Sequence, residues 1–353
     1  MKNSSPFAGR AIMPLVLGLC VLLLYSQCQA QRPDWMQGTS KKFPQQLYMT
    51  GVGSGKTREA AENQARASIA KNFKIDISAT TGVVSTETLK RKDDVVSGES
   101  QEKTVSDVEV GVRKTMEGVE IAEVYEDAST GSIHAFAVLK RSKAQAILED
   151  QIQQLDEEIV SLGKSADAAD DKIEKLRLML RRKGLMISRE SLNADHRIVD
   201  LANQSVPAPF SLEKEKSKVA SFLKNQFLVG VTAIGDEAQK LIQPALKYLS
   251  AQGISAKKVA PNSTVSMDVM VTLESDLEPA EQPVDDWYYC RWKVDMTATD
   301  EKTGNTLVTE TKSGKAGQLT AKDARKKAVT EMTKGVVSAM ESLWNTLNGE
   351  QGE

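Results

Sequence analysis

Apolar positions along the 353-residue chain change period several times, and each change marks an element. Leu47, Tyr48 and Met49 form a short apolar run that leads into Gly51-Val52-Gly53-Ser54-Gly55. From Thr57 the spacing becomes helical, with Ala61, Ala65, Ile69 and Phe73 on one face. Small residues on that face let a helix lie close against a sheet. Alternating patterns then predict strands over 74–80 with an extension towards Thr88, over 104–116, over 119–126 and over 133–139. The charged, Ser-rich segment 90–102 reads as a loop. Asp127-Ala128-Ser129-Thr130-Gly131 reads as a hairpin, with Gly131 at the position that needs a positive φ.

Further along, Ser142-Lys143-Ala144-Gln145 has the form of a capping box. Ile152, Leu155, Ile159 and Leu162 follow a 3-4-3 rhythm, which resumes at Ile173, Leu176 and Leu180 after a break over 163–171. This is the seam of a helical hairpin, or of a short coiled coil through which two copies would self-associate between Ile152 and Leu180. Val206-Pro207-Ala208-Pro209-Phe210 is a stiff linker, and Ser211 caps a charged helix. The remainder predicts a strand over 227–234, a helix opened by Gly235-Asp236, strands over 254–260 and 265–273, and a polar loop over 274–286. A long strand over 287–299, a hairpin at Asp300-Glu301-Lys302-Thr303-Gly304 and a strand over 306–312 follow. Thr320 caps the last helix, whose inward face is Ala324, Ala328, Met332, Val336, Met340, Leu343 and Leu347.

These patterns give an α+β chain. Two small α/β-layered domains with antiparallel sheets, at 31–142 and 225–350, are joined by a helical hairpin or short coiled-coil insert and linker at 143–224. Asp127-x-x-Thr130-Gly131 and Asp300-x-x-Thr303-Gly304 share one turn signature. It reflects either related folds or convergent turn chemistry.

Composition alters this picture at the N-terminus. Lys2 and Arg10 precede an apolar run from Met13 to Leu24, shorter than the roughly 20 residues of a spanning helix. Residues 1–30 therefore read as an export signal. Cleavage between Ala30 and Gln31 places Cys28 and Ala30 at the small-residue positions; lipid attachment at Cys28 is the rival, although Gln27 and Tyr25 suit it poorly. Without Lys2 and Arg10 the formal net charge moves from −2 to −4, and no basic face with interleaved aromatics points to nucleic acid.

Candidate chemistry is sparse. Residues 50–57, Thr50-Gly51-Val52-Gly53-Ser54-Gly55-Lys56-Thr57, miss a phosphate-binding P-loop only at the first position. An exported chain this poor in cysteine is expected in a bacterial periplasm, which has no ATP pool, and no apolar strand ends in a magnesium-holding carboxylate. The reading adopted is that Gly51, Gly53 and Gly55 form a tight turn before a helix capped by Thr57; nucleotide binding is the alternative. Cys290, the one cysteine outside the signal, alternates with apolar residues and reads as a buried thiol. His134 and His196 stand far apart, without metal-ligand spacing. The pairs Asp93-Asp94 and Asp285-Asp286 lie in polar loops. No cofactor is implied. A periplasmic hydrolase would have to gather one histidine with Asp or Glu and Ser in a pocket.

Pro33-Asp34-Trp35, Tyr48-Met49-Thr50-Gly51-Val52-Gly53, the Ala-rich helix from Ala60 to Phe73, Glu117-Gly118-Val119-Glu120-Ile121 and the hairpin from Asp127 to Leu139 resemble the LPP-twenty (LPP20) lipoprotein family over about 32–147. That resemblance implies a bacterial envelope protein, often anchored at the outer membrane, with some relatives acting around the flagellar basal body and no enzyme activity. The second domain resembles, in layout alone, small α/β domains of envelope-assembly lipoproteins. The expectation is a non-catalytic envelope protein, in the periplasm or at the outer membrane, that scaffolds or contacts an envelope protein partner. The Trp35 arm, the 287–292 strand edge and the seam from Ile152 to Leu180 are its candidate surfaces.

Overall fold

A computed structural model describes residues 32–89, 117–260 and 265–349, with side chains described outside 74–89. The chain forms two compact units. Among the described residues, 32–71 and 118–141 make the first, and the others make the second.

The first unit contains β1 (Tyr48–Gly55), the start of α1 (Arg58–Leu89), β2 (Glu120–Asp127) and β3 (Ser132–Lys140). The strands form an antiparallel sheet in the order β1-β3-β2. Gly51 and Gly53 pair with Ala137 and Ala135, so one face of the sheet has a floor of small residues. Ala61, Ala65 and Ile69 of α1 are fully buried, as the helical spacing predicts. A short 3-10 turn over Asp34–Gln37 delivers Trp35 to the opposite face. There Trp35 stacks on Phe136 with ring centroids 5.3 Å apart, and its indole Nε1 donates to Glu123 Oε2 at 2.7 Å. Trp35 is therefore a core residue, 1 % exposed, and not the free contact arm expected from its place near the terminus.

The expected strand over 74–80 is helix, because α1 runs unbroken to Leu89. Neither glycine nor proline occurs from Arg58 to Thr81. A growing helix gains a hydrogen bond per residue fixed, which outweighs the weaker strand preference of Ile75, Ile77 and Thr80. The loop expected over 90–102 and the strand expected over 104–116 fall outside the described residues.

The second unit opens with α2 (Arg141–Ala168) and α3 (Lys172–Val199). Helix α2 begins directly from β3, so Ser142 lies in its first turn instead of capping it. Gly163 does not break α2; its missing side chain leaves room for the Arg182 guanidinium. Arg182 Nε donates to the Ile159 carbonyl at 3.1 Å, and its Nη1 pairs with Glu215 of α4 (Leu212–Asn225). Asp171 caps α3 by accepting from the Glu174 amide at 2.8 Å. The two helices thus fold back on each other. Ile152, Ile159, Leu162, Ile173, Leu176 and Leu180 are buried within the one chain, so this seam is not available for self-association.

Five strands follow: β4 (Leu228–Gly235), β5 (Ser255–Lys258), β6 (Val269–Pro279), β7 (Tyr288–Asp300) and β8 (Thr306–Gln318), with α5 (Ala238–Ala251) after β4 and α6 (Ala321–Leu347) at the end. Their order is β5-β4-β6-β7-β8. The sheet is antiparallel from β6 to β8 but parallel at β5-β4-β6, because α5 carries the chain back between β4 and β5. The sheet is thus mixed, not antiparallel throughout. The tip of the α2–α3 hairpin shares one core with α4, the sheet, α5 and α6, through residues such as Leu176, Met179, Phe222, Val271 and Met340. Strands β6 and β8 continue past the expected ends at Leu273 and Lys312, because the 13 residues of β7 offer partners on both sides. Glu274, Asp276 and Glu278 are exposed while Ser275 and Leu277 are buried, so a charged alternation that read as loop is the open face of a strand.

Both hairpin turns are built alike. Gly131 N donates to Asp127 O and Gly304 N to Asp300 O, each at 2.8 Å, with φ at +66° and +73°. Asp127 Oδ1 accepts from Ser129 N at 2.9 Å, and Asp300 Oδ1 from Lys302 N at 2.8 Å. The turn recurs while the sheet orders differ among the described strands, which points to shared turn chemistry.

Candidate functional site

The glycines of the near-P-loop lie in strand β1, not in a turn. Gly51, Gly53 and Gly55 all have partners on β3, and none has a positive φ. What they provide is close approach. A methyl group on Gly53 would stand 2.7 Å from the Gln64 carbonyl carbon and closer still to backbone atoms of Ala61 and Ala65; one on Gly51 would meet Ile69 Cγ1 at 2.9 Å. The extended backbone leaves no concave nest of amides for a phosphate. Thr57 caps α1 as expected, its Oγ1 accepting from Ala60 N at 3.2 Å. Lys56 is exposed. Gly131 and Gly304 do hold the turns assigned to them.

The described groups of greatest chemical density lie along α3 in the second unit. Ser188, Arg189, Ser191, Asn193, Asp195 and His196 are all buried. Arg189, Asn193 and His196 follow i, i+4, i+7 spacing, so they share one helix face. They hold the extended segment 204–207 by its backbone. His196 Nδ1 contacts Gln204 O at 3.1 Å, and Asn193 Oδ1 accepts from Val206 N at 2.8 Å. Arg189 Nη2 donates to Val206 O at 3.1 Å and Pro207 O at 2.9 Å. Asp200, just beyond the helix, accepts from the Gln204 and Ala202 amides at 2.8 and 3.1 Å; these bonds hold its carboxyl below the usual carboxylate range. A strap that lacks a strand partner thus has its polar groups satisfied by helix side chains.

Beside the strap is a cleft of about 520 Å3, lined by Glu149, Asp156, His196, Asp200, Ser205 and neighbours. It gathers the residue types a hydrolase would use, but each is engaged. Arg189 Nε donates to Asp156 Oδ1 at 2.7 Å and Nη2 to Oδ2 at 3.2 Å. His196 Nε2 lies 3.1 Å from Glu149 Oε1, so both ring nitrogens face acceptors. Ser205 Oγ accepts from Arg197 Nη1 at 3.1 Å. A serine nucleophile needs a hydrogen-bonded base, and this serine is bonded to a guanidinium. Helix α3 continues through 193–197, where the sequence alone suggested a connection holding His196, and its facing partner is a linker with two prolines.

His134 lies on β3 in the other unit, beside Tyr125 with ring centroids 6.4 Å apart. Cys290 is buried, as its alternation predicts, and burial pushes its thiol pKa up. Asp285 and Asp286 both have positive φ, at 50° and 62°, in the loop before β7. Trp292 is buried against Gly314 and Gly335, whereas Trp287, bridged to Val284 and lying over Gly317, is 43 % exposed. Only that end of the 287–292 segment offers a free aromatic. Among the described residues no group of three or more His, Cys, Asp or Glu side chains could hold a metal ion. No described helix is long and apolar enough to cross a membrane. Cys28, Ala30 and Gln31 lie outside the described residues.

Residues 33–140 match the family model described as LPP20 lipoprotein. No curated protein matches the chain significantly. Among solved structures, the secreted protein HP1454 from Helicobacter pylori is similar at 15 % identity, covering 84 % of this chain and 97 % of its own, with a TM-score of 0.43. A minor lipoprotein from Acinetobacter baumannii is similar at 10 % identity, covering 33 % of this chain and 92 % of its own, with a TM-score of 0.25.

Proposed function

We propose that this chain, whose residues 33–140 match the LPP20 lipoprotein family model, is a non-catalytic protein exported to the bacterial envelope, where it holds or contacts other envelope proteins. The observation that carries this reading is the commitment of the polar cleft. His196, Arg189, Asn193 and Asp200 each hydrogen-bond the backbone of 204–207, and His196 and Arg189 also engage Glu149 and Asp156, so the place where acid–base chemistry would be sought is a clamp. The basic and apolar pattern of residues 1–30 supports export. Anchoring through Cys28 and release with Gln31 first are told apart by the mass of the mature N-terminus.

Contact with a protein partner is assigned to the end of the second sheet. Val284, Trp287 and Leu319 are exposed there at 57 %, 43 % and 67 %. Aromatic anchors carry a disproportionate share of binding energy at protein interfaces. A photo-crosslinking residue in place of Trp287 should trap one discrete envelope protein in intact cells, while the same residue at exposed Glu213 traps none. Equal labelling at both positions, or none at Trp287, would count against the reading. A hydrolytic activity lost on His196→Gln without loss of folding would replace it.

A further inference from the structure

Strand β8 ends the second sheet. It pairs with β7 along its length, and its other edge has no partner among the described strands. The opposite end of the sheet is blunted by the four-residue β5. β8 has 13 residues, which at about 3.4 Å each expose a backbone edge of roughly 40 Å. Proteins normally shorten, bend or cover such edges, since free N–H and C=O groups template pairing with another chain. β8 contains no proline, and the elements packed on it are β7 and α6.

Its charges suggest what covers it. Glu310 and Lys312 share one face of the strand and pair at 3.0 Å, with side chains 28 % and 32 % exposed. A second β8 laid antiparallel about a two-fold axis through Thr311 would bring Glu310 opposite Lys312 of the second copy, and the reverse. The four charges would then alternate in sign. The same register places Thr309 opposite Ser313 on the other face. Moving the axis to Glu310 or Lys312 sets like charges opposite each other, and moving it to Thr309 or Ser313 leaves both without a charged partner. Opposite charges stabilise directly facing cross-strand positions and like charges destabilise them.

We propose that β8 is a self-pairing edge, through which two copies of this chain join into one continuous sheet centred on Thr311. The pairing is centred on Thr311, eight residues before Leu319, and the charge swaps below leave Val284, Trp287 and Leu319 unchanged, so either assignment can fail without the other. The test uses the purified mature chain in sedimentation equilibrium. The wild type should reach the mass of a dimer. Glu310→Lys and Lys312→Glu should each weaken dimerisation by about tenfold or more, because each makes all four central charges alike. The double swap, E310K with K312E, should restore it. Thr311→Cys should form a disulfide-linked dimer on oxidation, since the axis passes through that position. Circular dichroism confirms that each variant is folded. A wild type that stays monomeric at about 100 µM, or a dimer that the double swap fails to restore, would overturn the proposal.

Discussion

Replacing Gly53 by alanine should unseat α1 from the first sheet. The added methyl would stand 2.7 Å from the Gln64 carbonyl carbon, with backbone atoms of Ala61 and Ala65 nearer still. Carbon atoms settle at about 3.5–4.0 Å, so the helix axis has to retreat by roughly 1 Å. No rotamer change can relieve the overlap, because the obstructing atoms are main chain. Overpacking costs about 1–3 kcal/mol where side chains can adjust, so this position belongs at about 3 kcal/mol. That is a large part of the 5–15 kcal/mol that holds a typical domain together, and the retreat loosens Ala61, Ala65 and Ile69, all fully buried. Hydrogen exchange resolved to β1 and β3 reads the effect locally, which matters in a chain of two units. Amides of 48–55 should exchange about a hundredfold faster. Lys56→Ala is the control, exposed and expected to change stability by less than about 0.5 kcal/mol. Unchanged exchange in Gly53→Ala, together with a heat of ATP–magnesium binding that Lys56→Ala abolishes, would refute the packing argument and restore a phosphate site.

Two further outcomes follow from the clamp and the turns. Arg189→Ala leaves Asp156 without its bidentate partner and the Val206 and Pro207 carbonyls without a donor, so it should cost about 3–5 kcal/mol and open 201–210 to limited proteolysis; Arg189→Lys should rescue it poorly, lacking the planar fork. Hydrogen bonds from Ser129 hold Asp127 below the usual carboxylate range, and at Asp300 burial pulls upward but is outweighed by bonds from Thr303 and the Lys302 and Thr303 amides. Both folded-state values lie below the unfolded one, so their stabilisation is complete above about pH 4 and drains away as pH falls through the folded values. Thermal melts between pH 7 and 2 should show this acid loss, with a smaller pH dependence in the Asp127→Asn and Asp300→Asn double variant.

Local pattern determined much of this protein. The helical stripe of Ala61, Ala65 and Ile69, the turns at Gly131 and Gly304, the caps at Thr57, Ser211 and Thr320, and the inward face of α6 all depend on neighbours within a turn or a hairpin. Tertiary structure decided what those signals serve. Gly51, Gly53 and Gly55 would permit either a turn or a close contact, and only the helix lying against β1 selects the contact. The seam from Ile152 to Leu180 could face a second copy or fold on itself, and a connection of three residues between α2 and α3 folds it back. Glu274, Asp276 and Glu278 become strand because β7 stands beside them. Arg189, Asn193 and His196 become a clamp because a linker with two prolines, unable to pair as a strand, passes within hydrogen-bond reach of their helix face. Periodicity sets which face a residue occupies, whereas the partner of that face is chosen by contacts between segments distant in sequence.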